Sequence, residues 1–121
     1  MNILFLDDNP KRHNQFDGDF AVGNTITHCW TFEEAILALK SCPSWDMVSL
    51  DRDLNDFVLE TGKVSCDSMG DLTGEEVARW IDRNMHPEQF GSVIVHSINP
   101  QGGPRMVRIL ARFNPILAPF D

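Results

Sequence analysis

The sequence predicts a doubly wound α/β domain, a five-stranded parallel sheet with helices on both faces. Three observations carry this prediction. Short apolar runs end abruptly in acidic or polar residues, strand and helix patterns alternate along the chain, and two helix starts carry capping signals. At 121 residues the chain is the size of one domain, 1–121, with a single core.

Ile3 to Leu6 is an unbroken apolar run closed by Asp7-Asp8, the signature of a buried parallel strand whose carboxyl end turns polar. Asn9-Pro10 caps a short helix with Phe16 and Phe20 facing inward. Gly23-Asn24 breaks the chain before a second strand at Thr25 to Trp30. Thr31-Phe32-Glu33-Glu34 reads as a capping box, starting a helix that buries Ala35, Ile36 and Leu39 and stops before Pro43.

Trp45 to Leu50 is the third strand, with Asp51-Arg52-Asp53 at its carboxyl end. The stretch from Leu54 to Leu72 is long for a connection, and Thr61-Gly62 between two β-like runs suggests a hairpin-like insert acting as a lid. Thr73-Gly74-Glu75-Glu76 is a second capping box, followed by Val77, Ala78, Ile81 and Met85 at helical spacing.

Ser92 to His96 forms the fourth strand and runs into His96-Ser97-Ile98-Asn99. Gln101-Gly102-Gly103-Pro104 opens a helix to about Phe113, and Ile116 to Phe120 is the last strand. Right-handed crossovers leave the flavodoxin-like strand order 2-1-3-4-5 as the economical topology.

Composition narrows the function classes. The net charge of −8 disfavours duplex DNA, whose binding rests on neutralising many phosphates. From Gln89 onward the only acid is Asp121, while Arg105, Arg108 and Arg112 fall in that stretch. A phosphorylated small molecule fits such a local patch. The three cysteines, Cys29, Cys42 and Cys66, form no CxxC pair and read as free thiols. No run approaches the roughly 18 apolar residues of a membrane helix, and the amino terminus lacks the basic flank of an export signal. The expectation is a cytoplasmic protein with no membrane partner.

Ligands of open parallel sheets bind outside the carboxyl ends of the strands. Those ends collect Asp7 and Asp8, then Asp51 and Asp53, then His96, Ser97 and Asn99. Converging carboxylates repel unless a cation neutralises them, and hard oxygen donors without cysteine point to Mg²⁺ or Mn²⁺. Asp7, Asp8 and Asp51 are the expected metal ligands, with Asp53 close by. Taken singly, each aspartate is also an ordinary turn or cap residue.

His96 reads either as a hydrogen-bonded structural residue or as a general acid or base. Ser97 is a phosphate donor or a nucleophile. Asn99, Arg52, Arg105 and the Gly102-Gly103 amides at a helix start are suited to hold phosphate. His13, His28 and His86 read as surface or structural residues.

Asp7-Asp8, Asp51 and Ser97 at successive strand ends resemble a response-regulator receiver domain. In that family the acidic trio holds Mg²⁺, the third-strand aspartate accepts a phosphoryl group, and the fourth-strand Ser or Thr senses it. A receiver also carries a lysine at the end of strand five, and Ile116 to Asp121 contains none.

The ordered set Leu6-Asp7-Asp8, Leu50-Asp51-Arg52-Asp53-Leu54, Thr73-Gly74 and His96-Ser97-Ile98-Asn99 is more similar to the cyclic-phosphate processing receiver domains. Arg52 stands where that pattern has histidine. The resemblance implies a metal-dependent phosphoesterase with Asp51, Asp53, His96 and Ser97 in the chemistry. Its substrate would be a cyclic nucleotide or an RNA end bearing a 2′,3′-cyclic phosphate. A degenerate receiver phosphorylated on Asp51 and a protein that binds cyclic nucleotides without cleaving them are the alternatives.

Overall fold

The structure is a computed structural model and describes residues 1–52, 73–96 and 101–118. The insert expected at 54–72 lies outside the described residues, as do Asp53, Ser97 and Asn99. The described elements are β1 (Asn2–Leu6), α1 (Pro10–Phe20), β2 (Thr25–Cys29), α2 (Phe32–Ser41), β3 (Trp45–Leu50), α3 (Gly74–Asn84), β4 (Phe90–Val95), α4 (Gly102–Ile109) and β5 (Ile116–Leu117). The sheet is parallel throughout, in the order β2-β1-β3-β4-β5.

Strand periodicity divides the core into two layers. Ile3 and Phe5 pack with Phe16 of α1, and Phe20, Ile26 and Met47 border that cluster. Leu4 and Leu6 join the larger cluster with Ala35 and Leu39 of α2, Val77, Ala78 and Ile81 of α3, and Met106 of α4. Apolar residues at alternating positions of β1 thus face opposite helical layers, which is why β1 reads as a continuous apolar run.

Local signals set most boundaries. Asn9 accepts from the Lys11 amide, and Pro10 occupies the first helical position of α1. Thr31 Oγ1 accepts from the Glu34 amide, but the Glu34 carboxylate reaches the Trp30 amide, one residue before the cap. That bond takes Trp30 out of the ladder and ends β2 at Cys29. Thr73 caps α3 by accepting from Glu75, whereas Glu76 pairs with Arg79. The helix expected to run to Phe113 ends at Ile109; a 3₁₀ turn follows at Ala111–Phe113, and Asn114 adopts the left-handed conformation that turns the chain into β5.

Gly74 is required by a close approach. A Cβ on Gly74 would meet the Asp51 carbonyl oxygen at 1.7 Å, and the Gly74 amide donates to the Arg52 carbonyl at 2.8 Å. The start of α3 therefore rests directly on the end of β3.

Cys29 and Cys42 are free thiols; burial, reinforced by Glu34, pushes the Cys29 thiol up to about 12. Among the described residues no helix is long and apolar enough to cross a membrane.

Candidate functional site

The register of the three central strands builds the site. Leu6 pairs with Leu50, and Leu50 with Val95, so the next residues along, Asp7, Asp51 and His96, form one row across the sheet. Each is held by its own amide: Asp7 donates to the Cys29 carbonyl, Asp51 to Leu6 and His96 to Leu50, at 2.9 to 3.1 Å. All three are buried, with 0, 2 and 2% of their surface exposed.

Their side chains converge. One ligating atom from each of Asp7, Asp51 and His96 lies within 4.8 Å of the others. His96 Nε2 is 3.0 Å from Asp7 Oδ2, and His96 Nδ1 is 2.6 Å from Ser49 Oγ. Asp7 Oδ1 accepts from the Asn9 amide at 2.8 Å, and Phe5 stacks on the His96 ring.

Arg12 Nη1 lies 3.4 Å from Asp7 Oδ2 and 3.6 Å from Asp51 Oδ2. His13 Nε2 meets the Asp7 carbonyl oxygen at 2.8 Å, while its Nδ1 lies 2.6 Å from His28 Nδ1.

These contacts fix protonation. Burial pushes the Asp7 carboxyl up, but the His96 hydrogen bond and charge, the Asn9 amide and Arg12 together outweigh it and hold Asp7 below 3.8. Burial drives His96 below 6.5 against the pull of Asp7. An ionised Asp7 can only accept, so the neutral ring carries its proton on Nε2 and takes the Ser49 hydroxyl at Nδ1. The Ser49 hydroxyl can equally accept from Nδ1. In that tautomer the Nε2 lone pair faces the Asp7 carboxylate, an arrangement that requires a cation between them.

This donor set fits a divalent ion. Donor atoms around one Mg²⁺ or Mn²⁺ lie up to about 4.2 Å apart, close to the spacing within the row, and two buried carboxylates supply hard oxygen ligands. Asp8 is buried at 4% exposure one residue further along and lies outside this convergent group, whose third member is His96.

Beside the row stands a second charged group. Glu75, in the first turn of α3 and 6% exposed, gathers three guanidiniums. Arg79 Nη2 lies 2.8 Å from Oε2, while Arg105 Nε at 3.2 Å and Arg52 Nε at 3.7 Å share Oε1. A Cβ on Gly102 would meet the Arg52 Cδ at 2.0 Å, so the bare backbone of Gly102 seats the Arg52 side chain. Gly103 is buried beside it at the start of α4. Of the residues expected at a phosphate, Arg52 and Arg105 therefore pair with Glu75, and Gly102 lies against Arg52.

Sequence reasoning missed Ser49, Arg12 and Glu75. Ser49 had a signal, because a hydroxyl inside an apolar strand must find a partner. Glu75 had a weaker one, as an acid in the first turn of a capped helix. Arg12 had none, since its reach depends on how α1 sits over the strand ends.

A parallel sheet in this order, with aspartates after β1 and β3 meeting at its carboxyl edge, defines a receiver-type domain. Solved structures agree. The CheY-like receiver domain from Methylobacillus flagellatus superposes with a TM-score of 0.66 at 16% identity, over 100% of this chain and 88% of that one. NtrX from Brucella abortus gives 0.68 at 21% identity, over 99% and 24%. A response regulator from Burkholderia pseudomallei gives 0.64 at 17% identity, over 97% and 58%. The chain thus spans little more than half the length of the Burkholderia protein and a quarter of NtrX. Among curated proteins the sequence finds no match. The chain belongs to the cyclic-phosphate processing receiver domain family, whose match extends over residues 2–112.

Proposed function

We propose that this chain is a divalent-metal-dependent phosphoesterase that hydrolyses cyclic phosphates, either 2′,3′-cyclic phosphate RNA ends or cyclic nucleotides. The observation that carries the reading is the buried row of Asp7, Asp51 and His96, whose ligating atoms lie within 4.8 Å of one another. Family membership supports the substrate class.

Asp7 and Asp51 would hold Mg²⁺ or Mn²⁺, with Asp8 and Asp53 adjacent in the chain. The ion would polarise a phosphoryl oxygen. Arg52 and Arg105, kept together by Glu75, supply donors for the non-bridging phosphate oxygens. His96, held between Ser49 and Asp7, would act as acid or base beside the ion. Ser97, Asn99 and the Gly102-Gly103 amides complete the proposed phosphate grip.

The test is a cleavage assay with Mg²⁺ or Mn²⁺ on 2′,3′-cyclic-phosphate RNA ends and cyclic mono- and dinucleotides. Asp51→Asn and His96→Ala are run beside the wild type. Loss of turnover in both variants supports the reading. Full turnover by Asp51→Asn on every substrate sinks it. Binding with the ligand recovered intact converts the protein to a cyclic-nucleotide binder.

The position of Asp51 favours one second reading, a degenerate receiver phosphorylated at that residue. The Burkholderia relative is described with a phosphorylated aspartic acid and a calcium ion. The last lysine of this chain is Lys63, so β5 carries none of its own to couple phosphorylation to a switch. Acetyl phosphate treatment without a mass gain on Asp51 would remove this reading.

A further inference from the structure

Two carboxylates buried side by side need a positive charge even without a metal, because their repulsion is weakly screened in the interior. Arg12 supplies that charge. A single nitrogen, Nη1, lies 3.4 Å from Asp7 Oδ2 and 3.6 Å from Asp51 Oδ2, between the two oxygens that a divalent ion would share. Both separations are long for a charge-assisted hydrogen bond, so Nη1 balances the two carboxylates without forming a tight pair with either.

Its attachment suits that role. Asp7 Oδ1 accepts from the Asn9 amide, Asn9 Oδ1 accepts from the Lys11 amide, and Pro10 opens α1, so the Arg12 backbone is fixed over the strand ends. The side chain is 19% exposed, against 0% and 3% for its two partners. It is the most exposed member of the trio.

We propose that Arg12 is a built-in counter-cation of the Asp7–Asp51 pair, and that a divalent ion enters by displacing its guanidinium. Arg12 thereby sets the metal affinity of the site. This inference rests on the metal site proposed above. It adds a competitor encoded in the chain itself, which keeps the metal-free protein folded and reserves the site for ions that outbid a tethered charge.

The experiment uses Mn²⁺ alone as the probe, with calorimetric titration and thermal melts of the wild type, Arg12→Gln and Arg12→Lys at low salt. Arg12→Gln is expected to bind Mn²⁺ at least about tenfold more tightly, with Arg12→Lys between it and the wild type. The metal-free Arg12→Gln protein is expected to melt below the wild type. That gap should shrink in saturating Mn²⁺ and in an Asp51→Asn background, where one of the repelling charges is gone.

Equal or weaker Mn²⁺ binding by Arg12→Gln, with the wild type binding normally, overturns the role of Arg12 and leaves the metal site standing. Absence of Mn²⁺ binding in every variant, with the melting gap still dependent on Asp51, overturns the metal site itself. Should Arg12→Gln not fold, Arg12→Lys carries the comparison: Mn²⁺ affinity unchanged from the wild type overturns the proposal.

Discussion

Ser49 and His96 lie on neighbouring strands, 2.6 Å apart between Oγ and Nδ1, with both side chains buried. The pair joins a hydroxyl near the carboxyl end of β3 to the imidazole that directly follows β4. Through His96 Nε2 it reaches Asp7. A buried strand residue thus partners the imidazole nitrogen that does not face Asp7.

Ser49→Ala removes that partner. The expected loss of stability is about 1–2 kcal/mol in urea denaturation, the usual cost of a buried polar atom left unsatisfied. Turnover on a cyclic phosphate should fall further than this loss explains. A variant as stable and as active as the wild type would show that Nδ1 is satisfied in another way.

Gly74→Ala places a methyl group where the Asp51 carbonyl oxygen lies 1.7 Å from the ideal Cβ position. Backbone cannot yield as a side-chain tip does, so α3 must lift from the end of β3. We expect about 3 kcal/mol of destabilisation, at the upper end for overpacking. For Gly102→Ala the nearest atoms are those of the flexible Arg52 side chain, so the change should instead unseat that arginine with little loss of stability. Comparable melting temperatures for the two variants would contradict this assignment.

Glu75→Gln leaves three guanidiniums without their shared carboxylate. Arg79 and Arg105 are half-exposed and can turn to water, so the expected cost is about 2 kcal/mol, within the range for charged hydrogen bonds. The salt dependence of stability should also flatten, because the ion pairs it screens are gone. An unchanged denaturation midpoint would mean that the cluster contributes no net stability.

Acid should destabilise the metal-free protein well above the carboxylate range. Burial lowers both His13 and His96 below 6.5, so below that pH the unfolded chain binds protons that the native state resists. Stability is therefore fully present above about pH 6.5 and declines as pH falls towards the depressed native values. Asp7, held below 3.8 by His96, the Asn9 amide and Arg12, adds a further loss only at lower pH. Urea midpoints measured in chelator from pH 8 to pH 5 should fall. A rise over that interval would reverse the assigned direction for the histidines.

The fold was legible because its determinants are local or strictly periodic. The buried run Ile3–Leu6, the caps at Thr31 and Thr73 and the alternation of elements suffice to specify a parallel sheet in the order 2-1-3-4-5. The row of Asp7, Asp51 and His96 was legible for the same reason, since each residue directly follows a strand. Arg12 and Glu75 were not. Their contacts depend on the angle at which α1 and α3 meet the sheet, and no spacing in the chain encodes that angle. The C-terminal helix was read too long because Ile109, Leu110 and Phe113 continue an apolar pattern through the turn at Ala111–Phe113.

The bond between the Gly74 amide and the Arg52 carbonyl has a consequence for how such a domain can diversify. The bond holds Arg52 and Gly74 side by side, so the described frame does not depend on how many residues join them. Doubling the length of a flexible connection adds only about 0.6 kcal/mol of closure entropy. A stretch between ends fixed in this way can be lengthened, shortened or exchanged while the frame that aligns the three strand ends stays as it is.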